Sequence, residues 1–329
     1  MAGIRIGVLG AARIAPQAII KPAAGSPDAE VVAVAARDRK KAVAFAEKHG
    51  IATVHDSYAA LISDPDIDAI YNPLPNGLHA RWTISALDAG KHVLCEKPFA
   101  SNAAEAREVA AVSAAHPNQV VMEAFHYRYH PFAARLQEIV QSGELGAVQR
   151  VETAMCFPLP RFGDIRYDYG LAGGATMDVG CYTIHCLRLL AGEDPEVTSA
   201  VAKLKGPKID RAMKAELRFP SGATGAIHCS MWSSSILKLG ATVVGDQGVM
   251  KVRNFTMPHL FGKLTVSTAA GKRSEVASKD RTYERQLEAF CGAVLRGGPN
   301  LTPPSDSVTN MEIIDAVYTA AGLPLRGLG

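Results

Sequence analysis

The sequence of 329 residues lacks a long apolar run, a charge imbalance and a basic cluster. Without an apolar run of about 20 residues it has no candidate membrane span. The amino terminus, MAGIRIGVLG, has no basic segment leading into a cleavable apolar stretch. A net charge of +3, with no interleaving of basic and aromatic residues, argues against nucleic acid or membrane surfaces as partners. We therefore expect a cytoplasmic protein that acts on small molecules.

Cysteine is present but not in the spacing of a metal or redox site. The six cysteines form neither CxxC pairs nor a Cys/His pattern typical of zinc. Cys181 and Cys186 are five residues apart, which favours buried free thiols over a metal or redox pair. The sequence thus predicts no metal site and a reducing compartment.

A strand, a tight turn and a helix start open the chain. Ile4–Gly10 is rich in β-forming residues, and Ala11–Ala15 follows as a helix start. This arrangement directs backbone N–H groups and a positive helix end toward a pyrophosphate. The fingerprint is degenerate, because Gly10-x-Ala12-x-x-Ala15 stands in place of G-x-G-x-x-G, and a plain βα turn is the alternative. The candidate phosphate contacts are Gly10, Ala12, Arg13 and Ile14.

The second apolar run, Val31–Ala36, ends at a basic residue. Arg37 stands where an acidic residue would bind the ribose 2′-hydroxyl of NAD, whereas arginine can pair with the 2′-phosphate of NADP. The position therefore favours NADP, with NAD as the alternative. Asp38 can instead cap the following helix.

Alternating strands and helices predict a doubly wound parallel Rossmann sheet over residues 1–124. Later strand runs end in polar stretches, the loop at 72–79 and the tetrapeptide Cys95-Glu96-Lys97-Pro98. Ligands bind at the carboxyl ends of such strands. The alternative is that Glu96 and Lys97 form an ordinary salt bridge on the surface. Residues 125–329 carry mostly strand patterns, which predict an α+β domain with a predominantly antiparallel open sheet.

Three ordered stretches resemble a single family: GVLGAARIA, LPNGLH followed by ALDAGKHVLCEKP, and AGGATMDVGCYTIH. Together they resemble the glucose-fructose oxidoreductase, inositol dehydrogenase and rhizopine-catabolism family (Gfo/Idh/MocA) over nearly the whole chain. The resemblance implies that Lys97 lies beside the nicotinamide as a catalytic residue, and that the Lys97–Pro98 peptide is cis. It also implies that the second domain binds substrate and forms a homodimer or homotetramer through its open sheet. The further cofactor contacts expected are Leu74, Asn76, His79 and Glu96.

A helix after Gly173-Gly174 carries the remaining catalytic candidates. Asp178 and Tyr182 are four residues apart and share a helix face, with His185 near the same side. Many family members have histidine at the position of Tyr182. With tyrosine there, the chain resembles the branch that contains dimeric dihydrodiol dehydrogenases, NADP-dependent xylose dehydrogenases and keto-sugar reductases. A purely structural hydrogen bond between tyrosine and aspartate is the alternative.

Hydride transfer to or from a carbinol carbon requires an acid/base for the hydroxyl proton. A nearby ammonium lowers the pKa of a tyrosine from about 10, so Lys97 would tune Tyr182 for this role. Asp178 would orient a sugar hydroxyl or Lys97. His126 is a further substrate candidate, with packing as its alternative. Arg166 is a candidate substrate or cofactor contact, with a structural salt bridge as its alternative.

These observations predict an NADP-dependent oxidoreductase of sugars, polyols or vicinal diols. The leading substrate is an aldose such as xylose, oxidised at C1. A keto-sugar reductase and a trans-dihydrodiol dehydrogenase are the closest alternatives. A non-catalytic NADP-binding regulator is the alternative from another class.

Overall fold

The computed structural model describes residues 3–327. The chain forms two compact units, the first with residues up to His126 plus Tyr283–Val308, the second with Tyr127–Thr282 and the chain from Thr309 onward. The sequence interpretation placed the boundary at 124 and assigned residues 283–308 to the second domain. The structure instead groups that late segment with the first unit.

The first unit is built on a six-stranded sheet in which neighbouring strands are parallel. The strand order is β3-β2-β1-β4-β5-β6, the order of a doubly wound dinucleotide-binding sheet with its switch point between β1 and β4. The strands are β1 Ile4–Leu9, β2 Ala29–Ala35, β3 Thr53–His55, β4 Ala69–Asn72, β5 His92–Cys95 and β6 Val121–Glu123.

The helices of the first 126 residues connect these parallel strands. A π-helical turn, Pro16–Ile20, continues as α1, Lys21–Ala24. The others are α2 Arg39–His49, α3 Tyr58–Ile62, a 3₁₀ turn Asn76–Leu78, α4 His79–Asp88 and α5 Ala103–Ala115. Local chemistry sets several of their starts, because the side chains of Ser57 and Asn102 accept hydrogen bonds from the first turns of α3 and α5.

The second unit contains an eight-stranded sheet in the order β14-β13-β12-β11-β7-β10-β9-β8. All neighbours are antiparallel except β7 and β10, which run parallel. The strands are β7 Val148–Cys156, β8 Glu196–Gly206, β9 Ile209–Arg218, β10 Thr224–Ser230, β11 Lys238–Gly245, β12 Gly248–Arg253, β13 Lys263–Thr268 and β14 Gly271–Val276.

The helix over the centre of this sheet is α7, Cys181–Ala191, which packs against β7 and β10. A π-helical turn, Thr176–Gly180, leads into it. The remaining helical segments are 3₁₀ turns at His126–Tyr129, Ile165–Tyr167 and Tyr169–Leu171, and helices α6 Pro131–Gln141, α8 Pro258–Phe261, α9 Thr282–Arg296 and α10 Pro304–Ala320.

The predicted fold class is confirmed: a parallel Rossmann sheet and a mostly antiparallel open sheet with helices. The Lys97–Pro98 peptide is cis, as the resemblance implied. Cys181 and Cys186 are free and buried, which also confirms the prediction. Within residues 3–327 no helix is long and apolar enough to cross a bilayer.

Some elements were not predicted from the sequence. The pattern did not distinguish β3, α3, α6 or β14 from the connecting segments. β3 and α3 are only three and five residues long, too short for a periodic signal. β14 is a polar edge strand, Gly271–Val276, whose partner β13 supplies the pairing that its own composition does not indicate.

Candidate active site

The turn after β1 is closed by a glycine in the left-handed region. Gly10 has φ +88°, and its N–H donates to the carbonyl of Ala35 at 2.6 Å, so the ends of β1 and β2 are tied together. A Cβ on Gly10 would lie 3.2 Å from the side chain of Leu74. The turn thus brings backbone, not side chain, to the sheet edge at the switch point. The candidates that follow it are Ala12 and Ile14, which are partly buried, and Arg13, which is exposed.

Two charged residues that could bind the ribose end of the cofactor, Arg37 and Asp38, follow β2 and have different surroundings. Arg37 is exposed directly after the strand. The Asp38 carboxylate accepts from the backbone N–H groups of Lys40 and Lys41 at 3.0 and 3.4 Å, and so caps α2. The capping alternative for Asp38 is confirmed, and the exposed guanidinium of Arg37 is a cation at this strand end.

The ends of β4 and β5 hold the Glu96 side chain in place. Asn72 pairs with Cys95 across these strands, and the N–H of Glu96 donates to the Asn72 carbonyl at 3.0 Å. The fully buried Tyr71 hydroxyl donates to the Glu96 carboxylate at 2.8 Å. This fixes Glu96, which is itself buried, while the neighbouring Lys97 is partly buried.

His79 connects the loop after β4 to the turn after β5. Its Nδ1 lies 2.8 Å from the Pro98 carbonyl oxygen, and its Nε2 lies 2.7 Å from that of Leu74. Burial lowers the pKa of His79 to about 4, so the ring is neutral and its single N–H donates to one carbonyl only. The ring thus contacts backbone of both loops. Asn76, three residues earlier, begins the 3₁₀ turn beside it.

His126 packs on the late segment of the first unit. Its ring centroid lies 4.2 Å from that of Tyr283, near the start of α9. Burial raises the pKa of Tyr283 far above its usual value, and the negative charge of Glu96 raises it further. Tyr283 therefore stays a neutral hydroxyl. Packing of His126 is thus observed, and its substrate role stays a prediction.

In the second unit, Arg166 lies against Asp178. The Arg166 Nε donates to the Asp178 carboxylate at 3.1 Å, and its Nη1 donates to Asp164 at 3.1 Å. The charge of Asp178 raises the pKa of Arg166, the largest of the effects on that group. The pair that was predicted as an alternative for Arg166 therefore exists, and one of its members is the candidate Asp178.

Tyr182 lies one turn further along, in the first turn of α7. Its side chain is buried, and its ring centroid is 6.1 Å from that of Tyr127. The Tyr127 hydroxyl lies 2.5 Å from Nδ1 of His185, and both residues are buried. Because its ring is held by Tyr127, His185 is placed as a packing partner on this helix. A π-helical turn, Thr176–Gly180, precedes α7 and contains Asp178, and such turns are frequent at functional sites.

Three tyrosines that hold the candidates were missed from the sequence. Tyr71 bonds Glu96, Tyr127 contacts the ring of Tyr182, and Tyr283 contacts His126. Tyr71 belongs to the strand that precedes the 72–79 loop, and Tyr127 directly follows the candidate His126. Tyr283 had no such signal, because it lies 157 residues from its partner His126.

The structure therefore assembles two sets of candidates. In the first unit, Gly10, Arg37 and Glu96 follow neighbouring or next-neighbouring strands of one sheet and lie at its carboxyl edge, and Lys97 follows Glu96. In the second unit, Arg166, Asp178 and Tyr182 lie around the start of α7. The pairing of Lys97 with Tyr182 stays a prediction.

A sheet of this strand order, with a left-handed glycine after β1, defines the class of Rossmann-fold dinucleotide-binding proteins. Family models make the class more specific. Residues 4–125 match the oxidoreductase family GFO_IDH_MocA with its NAD-binding Rossmann fold, and residues 133–251 match the GFO/IDH/MocA C-terminal domain. The chain belongs to the Gfo/Idh/MocA oxidoreductase family.

Individual relatives cover between 71% and 97% of this chain. D-xylose 1-dehydrogenase (NADP(+)) 2 of Haloferax volcanii is 38% identical over 96% of both chains. A trans-1,2-dihydrobenzene-1,2-diol dehydrogenase of Mus musculus is 34% identical over 71% of this chain and 69% of the relative. A 3-ketoreductase of Actinomadura kijaniata, solved with NADP and TDP-benzene, superposes with a TM-score of 0.88 at 29% identity, covering 97% of this chain and 98% of the other.

Proposed function

We propose that the protein is an NADP-dependent oxidoreductase that transfers hydride between the nicotinamide and a sugar, polyol or vicinal diol. The observation that carries the proposal is the common edge of the first sheet. There the Gly10 turn, the Arg37 guanidinium and the Glu96-Lys97-cis-Pro98 corner follow β1, β2 and β5. These are the positions at which a dinucleotide's pyrophosphate, ribose and nicotinamide are bound in such sheets.

The residues present fit NADP. At Gly10 the backbone is bare, and a side chain there would meet Leu74 at 3.2 Å, so the turn leaves room for close approach of a pyrophosphate. Arg37 is exposed, whereas the Asp38 carboxylate is committed to the start of α2. A 2′-phosphate therefore finds a cation at this strand end.

One member of the predicted cofactor set, His79, and one residue outside that set, Tyr71, act through other groups in this proposal. The His79 ring lies against the carbonyl groups of Leu74 and Pro98 and donates to one of them, so in this proposal it sets the spacing of the two loops. Tyr71 orients the Glu96 carboxylate next to Lys97. Both are positioning residues for the nicotinamide end of the cofactor.

Bound NADP supplies or accepts the hydride. In our proposal Tyr182 exchanges the proton of the reacting hydroxyl, since the oxygen must lose its proton as hydride leaves the carbon. Lys97 stabilises the phenolate of Tyr182 and holds the substrate oxygen. The Asp178 carboxylate, fixed by Arg166 at 3.1 Å, accepts a hydrogen bond from a neighbouring substrate hydroxyl.

The leading substrate is an aldose, with xylose oxidised at C1 to the lactone. The 38% identity to a D-xylose 1-dehydrogenase that uses NADP supports this choice. Reduction of a keto-sugar is the second candidate, favoured by the full-length likeness to the 3-ketoreductase and by 31% identity to a dTDP-3,4-didehydro-2,6-dideoxy-α-D-glucose 3-reductase. Oxidation of a vicinal diol is the third, from the dihydrodiol dehydrogenase relative.

The test follows the absorbance of the reduced cofactor with a panel of aldoses, keto-sugars and trans-diols, using NADP and NAD in parallel. We expect turnover of at least one panel member with a lower KM for NADP than for NAD. Tight NADP binding without turnover of any member would replace the proposal with the non-catalytic regulator. A preference for NAD would contradict the role of Arg37.

We further propose that the chain self-associates through the open sheet of the second unit, in the cytoplasm. The edge strand β8 exposes two apolar side chains, Val201 at 71% and Leu204 at 42%. Exposed apolar residues on a sheet edge are a liability for a monomer and are typical of a covered surface. A second copy of the chain is the proposed cover.

A further inference from the structure

A fully buried charged cluster lies at the start of the helical segment that carries Asp178 and Tyr182. Its members, all in the second unit, are Thr176, Asp210, Tyr318 and Arg326, and we call them the Asp210 cluster. Asp210 and Arg326 are joined at 2.9 Å, and both side chains are 0% exposed. None of the candidate catalytic or cofactor residues belongs to this cluster.

Asp210 supplies the helix start with a cap from another part of the chain. One carboxylate oxygen accepts from the N–H and the hydroxyl of Thr176, both at 2.7 Å. The residue before the helical turn, Ala175, provides no side-chain cap. Asp210 comes from β9, so a negative charge on the sheet holds the amino-terminal end of the catalytic segment.

Arg326 ties the carboxyl-terminal part of the chain to the same place. Its Nε donates to the carbonyl of Gly173 at 2.7 Å, and its Nη1 donates to that of Pro324 at 2.8 Å. Its guanidinium lies 4.0 Å from the centre of the Tyr318 ring, and the Tyr318 hydroxyl donates to Asp210 at 3.0 Å. These partners satisfy a charge that would otherwise be too costly to bury.

Two glycines before the helix, Gly173 and Gly174, lie between the Asp210 cluster and the backbone of Arg166. Gly174 has φ +133°, and a Cβ there would lie 2.2 Å from an Asp210 carboxylate oxygen. A Cβ on Gly173 would lie 2.6 Å from the carbonyl oxygen of Arg166. The N–H of Gly174 donates to that same carbonyl at 2.8 Å. The glycines thus link the cluster to Arg166 and to the helix start at once.

We propose that Asp210 and Arg326 are positioning residues that hold Arg166 and Asp178 in the geometry required to orient substrate beside Tyr182. The inference rests on the proposed function. A buried ion pair contributes little net stability compared with apolar residues of similar volume. The hydrogen bonds of this pair go largely to the backbone at Gly173 and Thr176, and through Gly174 to Arg166. Its effect is therefore on the orientation of the catalytic segment.

The kinetic test compares Arg326→Lys with Val266→Ala. Arg326→Lys keeps the charge but loses the planar fork that reaches Gly173, Pro324 and Asp210 together. We expect kcat to fall about ten- to hundredfold, because small displacements of catalytic groups are costly, while the KM for NADP changes less than about twofold. Val266 is buried on β13, with four strands between it and β9, so Val266→Ala lowers the unfolding temperature and leaves kcat unchanged.

Tyr318→Phe is the milder second variant, since it removes one donor to Asp210 and preserves the ring under Arg326. It should reduce kcat in the same direction by a smaller factor. An unchanged kcat in Arg326→Lys, or an equal fall in kcat in Val266→Ala at a matched loss of unfolding temperature, overturns the positioning role.

Hydrogen exchange of the chain without substrate provides a readout that does not depend on the reaction. In Arg326→Lys the amides of residues 173–182 should exchange at least several times faster than in the original chain, while those of β13 keep their rates. Unchanged protection of residues 173–182 overturns the inference. The original chain could turn over no substrate while these amides still lose protection in Arg326→Lys. The role of the Asp210 cluster in holding the helix start would then stand, and the proposed function would fail.

Discussion

At the residue scale, the candidate carboxylates Glu96 and Asp178 are each held by a neighbouring side chain. Tyr71 bonds Glu96, Arg166 bonds Asp178, and Asp38 is taken up by α2 so that Arg37 remains at its strand end. Groups that must act in one orientation need such partners, because a free side chain would lose rotamer entropy at each encounter with substrate. The chemistry proposed for Lys97 and Tyr182 depends on this fixed surrounding.

Replacement of Tyr182 by phenylalanine tests the acid/base role. We expect Tyr182→Phe to reduce kcat about 10²- to 10⁴-fold, because the hydroxyl that exchanges the proton is lost. The Kd of NADP, measured by titration, should be unchanged, since the glycine turn and Arg37 lie in the first unit. Near-normal turnover would assign the proton transfer to another group.

His79 predicts a pH dependence of stability. Burial lowers the pKa of His79 to about 4, from 6.5 as the ordinary value. Between these values the unfolded chain binds a proton that the folded chain does not. Stability is therefore lost as pH falls from the upper value toward the lower, by about 3 kcal/mol in total. Above the upper value the group has no effect on the pH dependence.

The measurement compares the unfolding temperature of the original chain and of His79→Gln near neutral pH and in mild acid. We expect the variant to be less stable at neutral pH but to lose less on acidification. The other histidines are common to both chains and cancel. Parallel losses in the two chains would show that His79 titrates normally.

At the scale of elements, two helix starts have the same unusual form. A π-helical turn follows the Gly10 turn at Pro16–Ile20, and another precedes α7 at Thr176–Gly180. In neither case does the residue before the turn offer a side-chain cap. The first is adjacent to the proposed phosphate site, and the second is capped by Asp210 from β9. The second start therefore depends on a partner outside the helix itself.

Replacement by alanine should have opposite effects at two glycines near the first of these turns, Gly10 and Gly25. Gly10→Ala places a side chain at φ +88° and 3.2 Å from Leu74, so we expect a loss of about 1–2 kcal/mol and a weaker NADP complex. Gly25 has φ −102°, and an added Cβ would come no closer than 3.8 Å to another heavy atom, so Gly25→Ala serves as the matched control.

Gly25→Ala should be neutral or stabilising by about 0.4–1 kcal/mol, through the unfolded chain. Thermal unfolding and NADP titration of both variants make the comparison. Equal effects at the two positions would show that the Gly10 turn has no special constraint.

At the scale of the whole molecule, the chain returns to its first unit near its end. Residues 283–308 group with the Rossmann sheet, and within that unit the Thr302 hydroxyl and the Asn300 amide donate to backbone carbonyls of β6 at 2.7 and 2.8 Å. In the second unit, Arg326, from the chain after Thr309, donates to the Asp210 carboxylate. Each unit thus depends on residues far apart in the sequence.

The proposed self-association predicts that a charge placed on the β8 edge lowers the mass of the particle in solution. Val201→Glu places a carboxylate on the exposed edge strand β8, so we expect light scattering to show a shift from a homo-oligomer toward the monomer. Ala44→Glu, an equally apolar-to-acidic change on exposed helix α2, should leave the mass unchanged. A monomeric original chain would refute the association, and an oligomer insensitive to Val201→Glu would refute this surface.

The sequence alone was sufficient to predict those features that depend on local patterns of residues. Strand and helix periods, the glycine turn, and the ordered stretches around Lys97 and Tyr182 determine the Rossmann fold, the antiparallel second sheet and the family, because short-range sterics and burial set them. Only the tertiary structure could decide which partners hold these residues. The contacts of His79 with Pro98, of Asp210 with Thr176 and of Arg326 with Gly173 join segments 19, 34 and 153 residues apart. Such contacts arise from packing after the elements form, and no local propensity encodes them.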